Sequence, residues 1–343
     1  MAKITIKDVA KAAQVSPATV DRALHGRGSV GHSALVSINE AIQSLGFGQT
    51  TNELTEKLGN KIRLCFIIPK GGGGFISHLK KEIQRVCDDE IGVKVIPNFQ
   101  EIEMMSPILA CELSQAKREN MDAIGLFAID TNEVRDAVDR CIKQGIPVTT
   151  MVSDVPAAHR STYVGIDNNA AGRTAGRLMG KFLRNETGKV AVITGLMSIR
   201  DHMERFFGFR DIMLREYRNL TVLPAIETES LDRYILESIE ELFEKDPDIL
   251  GIYTVTGGIS GILSALRNKE TGKRPVLIAH DLSTVTRRGL ISGEIDALIN
   301  QDATQIARAT VSHMLAELMP NRTRMTSAKG GIPIEVFLKD NLP

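Results

Sequence analysis

The 343-residue sequence predicts a short all-α headpiece followed by an α/β region of two doubly wound parallel-sheet lobes. Three observations predict it. Apolar residues recur at helical spacing in three short segments within the first 46 residues. From residue 61 onward, strand-length apolar runs alternate with helix-length amphipathic segments, the pattern of a parallel sheet with helices on both faces. These runs are too many for one small sheet, and the polar loop SDVPAAHRST (residues 153–162) divides them near the middle.

In TIKDVAKAA, Ile6, Val9, Ala10 and Ala13 share one helical face, and Thr5 is placed to cap it. QVSPATVDRAL follows at once. Ser16 suits an N-cap, Pro17 suits a first helical position where no amide donor is needed, and Val20, Ala23 and Leu24 form the inward stripe. After the glycine-rich HGRGSV, a third helix is expected from Leu35, Ile38, Ala41, Ile42 and Leu45, stopping at Gly46. Three short helices with a tight turn between the first two form a helix-turn-helix headpiece, assigned to residues 1–47.

Residues 48–60, within GQTTNELTEKLGNK, are polar and form a hinge linker whose Leu54 and Leu58 stand at i,i+4 spacing. A helix this short is marginal by itself. Residues 61–343 are the expected ligand-binding and dimerisation domain. Its strands are IRLCFII, VKVIPNF, AIGLFAI, IPVTTMV, VAVITG, LTVLPAI, ILGIYTV, VLIAHD, IDALINQ and IPIEVFL. The expected division gives the N-terminal lobe about 61–161 and 302–320, and the C-terminal lobe about 162–301 and 321–343. Ligands of such sheets bind outside the carboxyl ends of the strands.

Composition excludes several classes. The longest apolar runs are far short of the roughly 18 residues a membrane span needs, and the N-terminus has no apolar signal segment, so a cytoplasmic location is expected. Cys65, Cys87, Cys111 and Cys141 are far apart and read as small buried apolar residues. The seven histidines have no ligand spacing, so no metal is expected, and no cofactor is either. Lys and Arg (42) balance Asp and Glu (42), which argues against a polyanion binder acting through the whole chain.

ITIKDVAKAAQVSPATV, YVGIDNNAAGRTAGRLM, ERFFGFRD and LINQD together make the chain resemble the lactose-repressor/galactose-repressor (LacI/GalR) family of transcription regulators. The resemblance covers nearly the whole chain. The ligand lobes of that family look like periplasmic sugar-binding proteins of type I. It implies a homodimer that reads a palindromic double-stranded DNA operator, and a small effector that closes the cleft and changes DNA affinity. The expected function is therefore a repressor sensing a sugar or related polyol.

On the DNA side, residues 1–50 hold five basic side chains (Lys3, Lys7, Lys11, Arg22, Arg27) against three acidic ones (Asp8, Asp21, Glu40). Phosphate anchoring must therefore lean also on helix N-termini and backbone amides. The family positions that usually read bases fall on Pro17 and Ala18, which can offer apolar contact with a thymine methyl. Arg22 can pair bidentately with guanine, with a phosphate contact as the alternative; Asp21 either orients Arg22 or accepts from cytosine. Lys3, Thr5, Lys7, Ser16 and Thr19 complete the DNA-facing set. Leu54 is the expected minor-groove wedge, with Leu58 as runner-up and packing against the lobes as the other reading; the Pro-Asn and Ala-rich hinge of the family is missing.

On the ligand side, Asp130 follows IGLFAI, Asp281 follows VLIAH, Arg205 lies in ERFFGFRD and Gln301 ends ALINQ. Carboxylates accepting from hydroxyls, an arginine donating and an aromatic such as Phe75 are the fittings of a sugar pocket. Helix capping or an interlobe contact is the alternative for each. Arg200 and Asp167 are weaker candidates, and Asp167 can instead cap the helix starting near Asn169. Thr256 stands in TVTGG, where family relatives often place Asn-Asp.

Enzymatic readings find little support. Residues 71–74 (GGGG) do not match Gly-x-Gly-x-x-Gly and read as a mobile loop near the cleft; both Thr-Gly-Lys occurrences lack the spacing of a nucleotide loop. Ser77 and Lys80 form a Ser-x-x-Lys without its partner motifs. A sugar-binding α/β enzyme would need one of these cradles. A transport-type binding protein would need a signal peptide and no headpiece.

Overall fold

In the computed structural model, the described residues are 5–25, single positions between 34 and 45, and 61–343 except 72, 91–92, 116–118, 229–230, 270–272 and 320–330. The headpiece begins with α1 (Ile6–Ala12) and α2 (Pro17–His25). The Thr5 amide and hydroxyl both donate to Asp8 Oδ2, at 2.8 and 2.7 Å, which ties down the start of α1. The chain then turns through Gln14 at φ 54°, and the Val15 amide donates back to the Ala10 carbonyl at 3.0 Å. Ser16 Oγ accepts from the Thr19 amide at 3.1 Å, opening α2. Val9, Ala10, Ala13, Val20 and Ala23 pack on Ile38, Ala41 and Ile42, so the described positions of the third segment supply the opposite wall of a small core. Leu35 and the Leu24 side chain lie outside the described residues.

The first lobe is a wholly parallel five-stranded sheet in the order β2-β1-β3-β4-β5. Its strands are β1 (Lys61–Pro69), β2 (Lys94–Ile102), β3 (Ala123–Leu126), β4 (Val148–Met151) and β5 (Thr162–Val164). Leu64 to Ile68 are buried in succession because β1 is covered on both faces. Its helices are α3 (Gly73–Asp88), α4 (Ser106–Gln115) and α5 (Asn132–Lys143). Gly73 and Gly74 open α3, so these two residues of the expected glycine loop are helix start, while Gly72 lies outside the described residues.

The sequence places the start of the other lobe at about residue 162 and predicts no strand there. Instead Thr162, Tyr163 and Val164 pair with Thr149, Thr150 and Met151 of β4, which corrects the boundary at residue 162. The chain crosses to the second lobe just after it and enters α6 (Asn168–Phe182).

The second lobe holds β6 (Gly188–Thr194), α7 (Arg200–Glu216), β7 (Leu220–Val222), β8 (Ile226–Glu227), α8 (Asp232–Lys245), β9 (Ile249–Thr254), α9 (Ile259–Asn268), β10 (Val276–His280), α10 (Thr284–Ser292), β11 (Ala297–Gln301) and β12 (Ile334–Phe337). The seven-stranded sheet runs β12-β11-β10-β9-β6-β7, with β8 also on β6 and β12 antiparallel. LTVLPAI forms two short strands because Pro224, between them, has no amide to donate. After β11 the chain returns through Asp302, whose carboxylate caps α11 (Ala303–Leu318) by accepting from the Thr304 and Gln305 amides. This helix packs against α3 and β4 of the first lobe.

Cys65, Cys87 and Cys141 are buried, but Cys111 is exposed. It lies on the outer side of α4, whose inner side is Leu109 and Leu113.

Candidate functional site

The second lobe builds its side of the cleft around Arg205. The helices α6 and α7 touch through backbone: a Cβ at Gly172 would lie 2.0 Å from the Arg205 carbonyl oxygen, and one at Gly208 would lie 2.2 Å from that of Asn169. Only glycine allows this approach. It brings Arg205 Nε within 2.9 Å of Asn168 Oδ1, and Nη1 donates to the Val255 carbonyl beyond β9 at 3.0 Å. Arg205 is 2% exposed, and its Nη2, 3.6 Å from Asp201 Oδ2, makes no hydrogen bond among the described residues.

Asp281 follows β10 directly, at φ 65° in the left-handed region that aspartate tolerates better than most residues. Gln301, at the end of β11, donates to Asp281 Oδ2 at 3.5 Å. Asp281 Oδ1, Gln301 Oε1 and Asp201 Oδ1 are buried without partners among the described residues. Burial pushes the Asp281 carboxyl up to about 6, against the pull of the nearby Arg205 guanidinium. His280 Nε2 sits 2.8 Å from the Tyr253 hydroxyl, and burial holds this imidazole well below its ordinary range.

On the first-lobe side, Val152 follows β4 at φ 66°, a strained conformation for a β-branched residue. The Tyr163 hydroxyl donates to its carbonyl at 3.0 Å, and Asn168 Nδ2 lies 3.3 Å from that hydroxyl. Asn168 thus contacts a first-lobe residue on one side and Arg205 on the other. Buried, unpartnered Thr131 Oγ1 and Ser153 Oγ lie beyond β3 and β4.

Asp130 accepts from Arg135 Nε at 2.7 Å and from Arg200 Nη1 of the second lobe at 3.0 Å. Arg200 also donates to Glu204 Oε1 at 2.7 Å. Burial works against the Asp130 charge, but these arginine hydrogen bonds hold its carboxyl below the usual range. Phe75 is half-buried against the first-lobe core. Beside it, a Cβ on Gly74 would stand 3.0 Å from Ser283 Cβ, so the start of α3 meets the second lobe close to Asp281.

Arg205, Asp281 and Gln301, with Asp130 and Arg200 at the lobe boundary, are therefore brought to the carboxyl ends of the strands. Thr256 is buried next to Val255. Asp167 caps α6 by accepting from the Ala170 amide at 2.8 Å, the capping alternative of its two readings. Asp201, Asn168, Tyr163 and Glu204 were not singled out in the sequence. Asp201 had a signal, since it precedes Arg205 by four residues on one helical face.

In the headpiece, Thr5, Lys7, Ser16, Pro17 and Ala18 are exposed and Thr19 and Asp21 are partly so. Ser16 Oγ and Thr19 Oγ1 are 2.7 Å apart. Exposed Arg22 lies back along α2, with Nε and Nη2 each 3.3 Å from the Ala18 carbonyl and the Thr19 hydroxyl respectively. Lys3 and Leu54 lie outside the described residues.

Two parallel-sheet lobes with polar side chains gathered between them, behind a helix-turn-helix, define a cleft-binding protein with a DNA-binding headpiece. The family descriptions agree. "Periplasmic binding protein domain" matches residues 64–321, and "Bacterial regulatory proteins, lacI family" matches residues 5–49. The chain belongs to the periplasmic binding protein domain family through residues 64–321 and carries a headpiece domain of the lacI type at residues 5–49, neither of them an enzyme family.

It is similar to the HTH-type transcriptional regulator DegA of Bacillus subtilis (strain 168), 26% identical over 299 residues, covering 86% of this chain and 84% of DegA. The fold is that of a Burkholderia graminis C4D1M solute-binding protein of an ABC transporter, solved in complex with D-arabinose (TM-score 0.75, 23% identity, 82% of this chain and 96% of that one). It is also that of GanP, a glucose-galactose binding protein from Geobacillus stearothermophilus (TM-score 0.74, 20% identity, 83% and 99%). A third likeness is a crystal structure described as a putative LacI transcriptional regulator from Bacteroides fragilis (TM-score 0.73, 18% identity, 82% and 98%). Among the described residues, no helix is long and apolar enough to cross a membrane.

Proposed function

We propose that this chain is a cytoplasmic, homodimeric repressor of a palindromic operator, controlled by a sugar or related polyol bound between its lobes. In this reading residues 1–47 are the headpiece, 48–60 the hinge linker and 61–343 the effector domain. The observation that carries it is the group of buried, unpartnered polar atoms in the cleft: Arg205 Nη2, Asp201 Oδ1, Asp281 Oδ1 and Gln301 Oε1. Each unpaired group costs about 1–3 kcal/mol, a cost that a ligand's hydroxyls would remove on binding. The binding proteins that share the fold and are described with D-arabinose or with glucose and galactose support the same ligand class.

Lys3, Thr5, Lys7, Ser16, Pro17, Ala18, Thr19, Asp21 and Arg22 are proposed to face DNA, with Leu54 at the minor groove. Phe75, Asp130, Arg200, Arg205, Thr256, Asp281 and Gln301 are proposed to serve the effector, Asp130 and Arg200 by holding the lobes together. The effector shifts DNA affinity only by its differential affinity for the two lobe arrangements. Mobility shift of the full chain on palindromic and scrambled duplexes, at several salt concentrations and with the sugars that raise its melting temperature, tests the proposal. Palindrome preference that a stabilising sugar alters is expected. Equal binding to both duplexes, or a stabilising sugar with no effect on DNA, would overturn it.

A further inference from the structure

We propose that the cleft selects uncharged polyhydroxy ligands and rejects phosphorylated or acidic sugars, with Asp201 setting that preference. This rests on the sugar reading above and narrows it. Two observations carry the inference: how the cations around the cleft are neutralised, and what the unpaired atoms can do.

The arginines around the cleft already have carboxylate partners. Arg135 and Arg200 share Asp130, and Arg200 also holds Glu204. Arg160 is paired with Asp154 through two of its nitrogens. Arg205 faces Asp201 at 3.6 Å. The buried imidazoles add no charge, since burial lowers both His202 and His280 below their ordinary range. An incoming phosphate or carboxylate would therefore meet no uncommitted cation at this site among the described residues.

The unpaired atoms are unequal in number. Asp201 Oδ1, Asp281 Oδ1 and Gln301 Oε1 can only accept while the carboxyls are ionised, and Arg205 Nη2 can only donate. The complementary ligand donates at several points and accepts at one. Hydroxyls do both. A phosphate monoester or carboxylate is mainly an acceptor and would carry negative charge towards two buried carboxylates. Asp201 is the decisive one because, at 3% exposed, it faces the guanidinium that carries the buried unpaired nitrogen, Arg205 Nη2. Its charge takes up the attraction that Arg205 would otherwise offer to an anion.

The test uses the full chain and matched probes: D-galactose with D-galactose 6-phosphate and D-galacturonate; D-ribose with D-ribose 5-phosphate; and myo-inositol with its monophosphate. Thermal shift finds the series that binds and calorimetry ranks its members. The neutral member is expected to bind at least about 100-fold more tightly than the phosphorylated or acidic one. In Asp201→Asn that gap should narrow by about tenfold or more. A phosphorylated or acidic member binding as tightly as its neutral parent overturns the inference in the native chain, whether or not the variant folds. A folded Asp201→Asn with an unchanged gap overturns the role of Asp201. If no probe binds, it is the sugar reading itself that fails.

Discussion

Asp130, beyond β3 of the first lobe, and Arg200, at the start of α7 in the second, are joined by a 3.0 Å hydrogen bond between the lobes. Both Asp130 oxygens are occupied, one by Arg200 and the other by Arg135, so this residue acts as a latch between lobes. Asp130→Asn keeps the shape but removes the charge that two arginines share. It is expected to cost about 1–2 kcal/mol and to favour a more open arrangement, with a larger radius of gyration in small-angle scattering. An unchanged radius and stability would show that the latch contributes nothing.

Gln14 closes the turn between α1 and α2 at φ 54°, a conformation that costs a side-chain-bearing residue about 1 kcal/mol relative to glycine. Gln14→Gly should raise headpiece stability by about 0.5–1 kcal/mol, less whatever entropy the unfolded chain gains. Operator affinity at saturating fold should not move. Denaturant unfolding followed by amide exchange of residues 5–25 separates the headpiece from the lobes.

Arg22 rests against Ala18 and Thr19 on the exposed face of α2, held by contacts that a stronger partner can replace. Arg22→Ala is expected to cost about 1–3 kcal/mol on the preferred operator and to relax one base pair in each half-site. Equal losses on specific and random duplexes would make Arg22 a phosphate contact. Selection from a randomised half-site distinguishes the two.

The elements legible in the sequence were those whose signal is local. Ser16 and Pro17 mark the start of α2, and continuous apolar runs such as residues 64–68 mark strands buried on both faces. β5 escaped because Thr162, Tyr163 and Val164 form too short a run to stand out from the polar loop before it. Arg205, Asp281 and Gln301 were singled out through their segments and strand ends. Asn168 and Tyr163 were not, because their roles arise where α6 meets α7 and where the strained Val152 carbonyl needs a donor. Asp130 carried both a ligand and an interlobe reading, and nothing in sequence places Arg200 beside it; only the juxtaposition of two lobes does.

The raised Asp281 carboxyl, at about 6 when folded against about 3.9 in an unfolded chain, makes stability depend on pH. Between these values the folded chain keeps a proton that the unfolded chain has lost. Its contribution is complete below about pH 4 and is lost as pH rises through about 6, a loss of at most about 3 kcal/mol. Asp281→Asn should flatten this part of the profile and leave the unliganded protein the more stable of the two near neutrality. Melting curves from about pH 4.5 to about pH 7.5 measure it, and parallel profiles would remove Asp281 as the titrating group.

Gly208 is the point where α7 leans on α6, and the geometry of the cleft depends on that contact. A Cβ there would stand 2.2 Å from the Asn169 carbonyl oxygen and 3.1 Å from the Arg173 amide nitrogen, both backbone atoms that cannot swing aside. Alanine would favour the helix locally by about 1 kcal/mol, yet forcing the helices apart costs more. Gly208→Ala is therefore expected to be about 2 kcal/mol less stable on balance. The separation also stretches the 2.9 Å bond between Arg205 and Asn168, which lie on the two helices. Effector affinity should fall about tenfold or more, while operator binding without effector is retained. Gly257→Ala is the control: a Cβ there meets nothing within 4 Å, so its stability should change by less than about 0.5 kcal/mol. If both variants lose stability equally, the close approach of α6 and α7 is not what holds Arg205 in place.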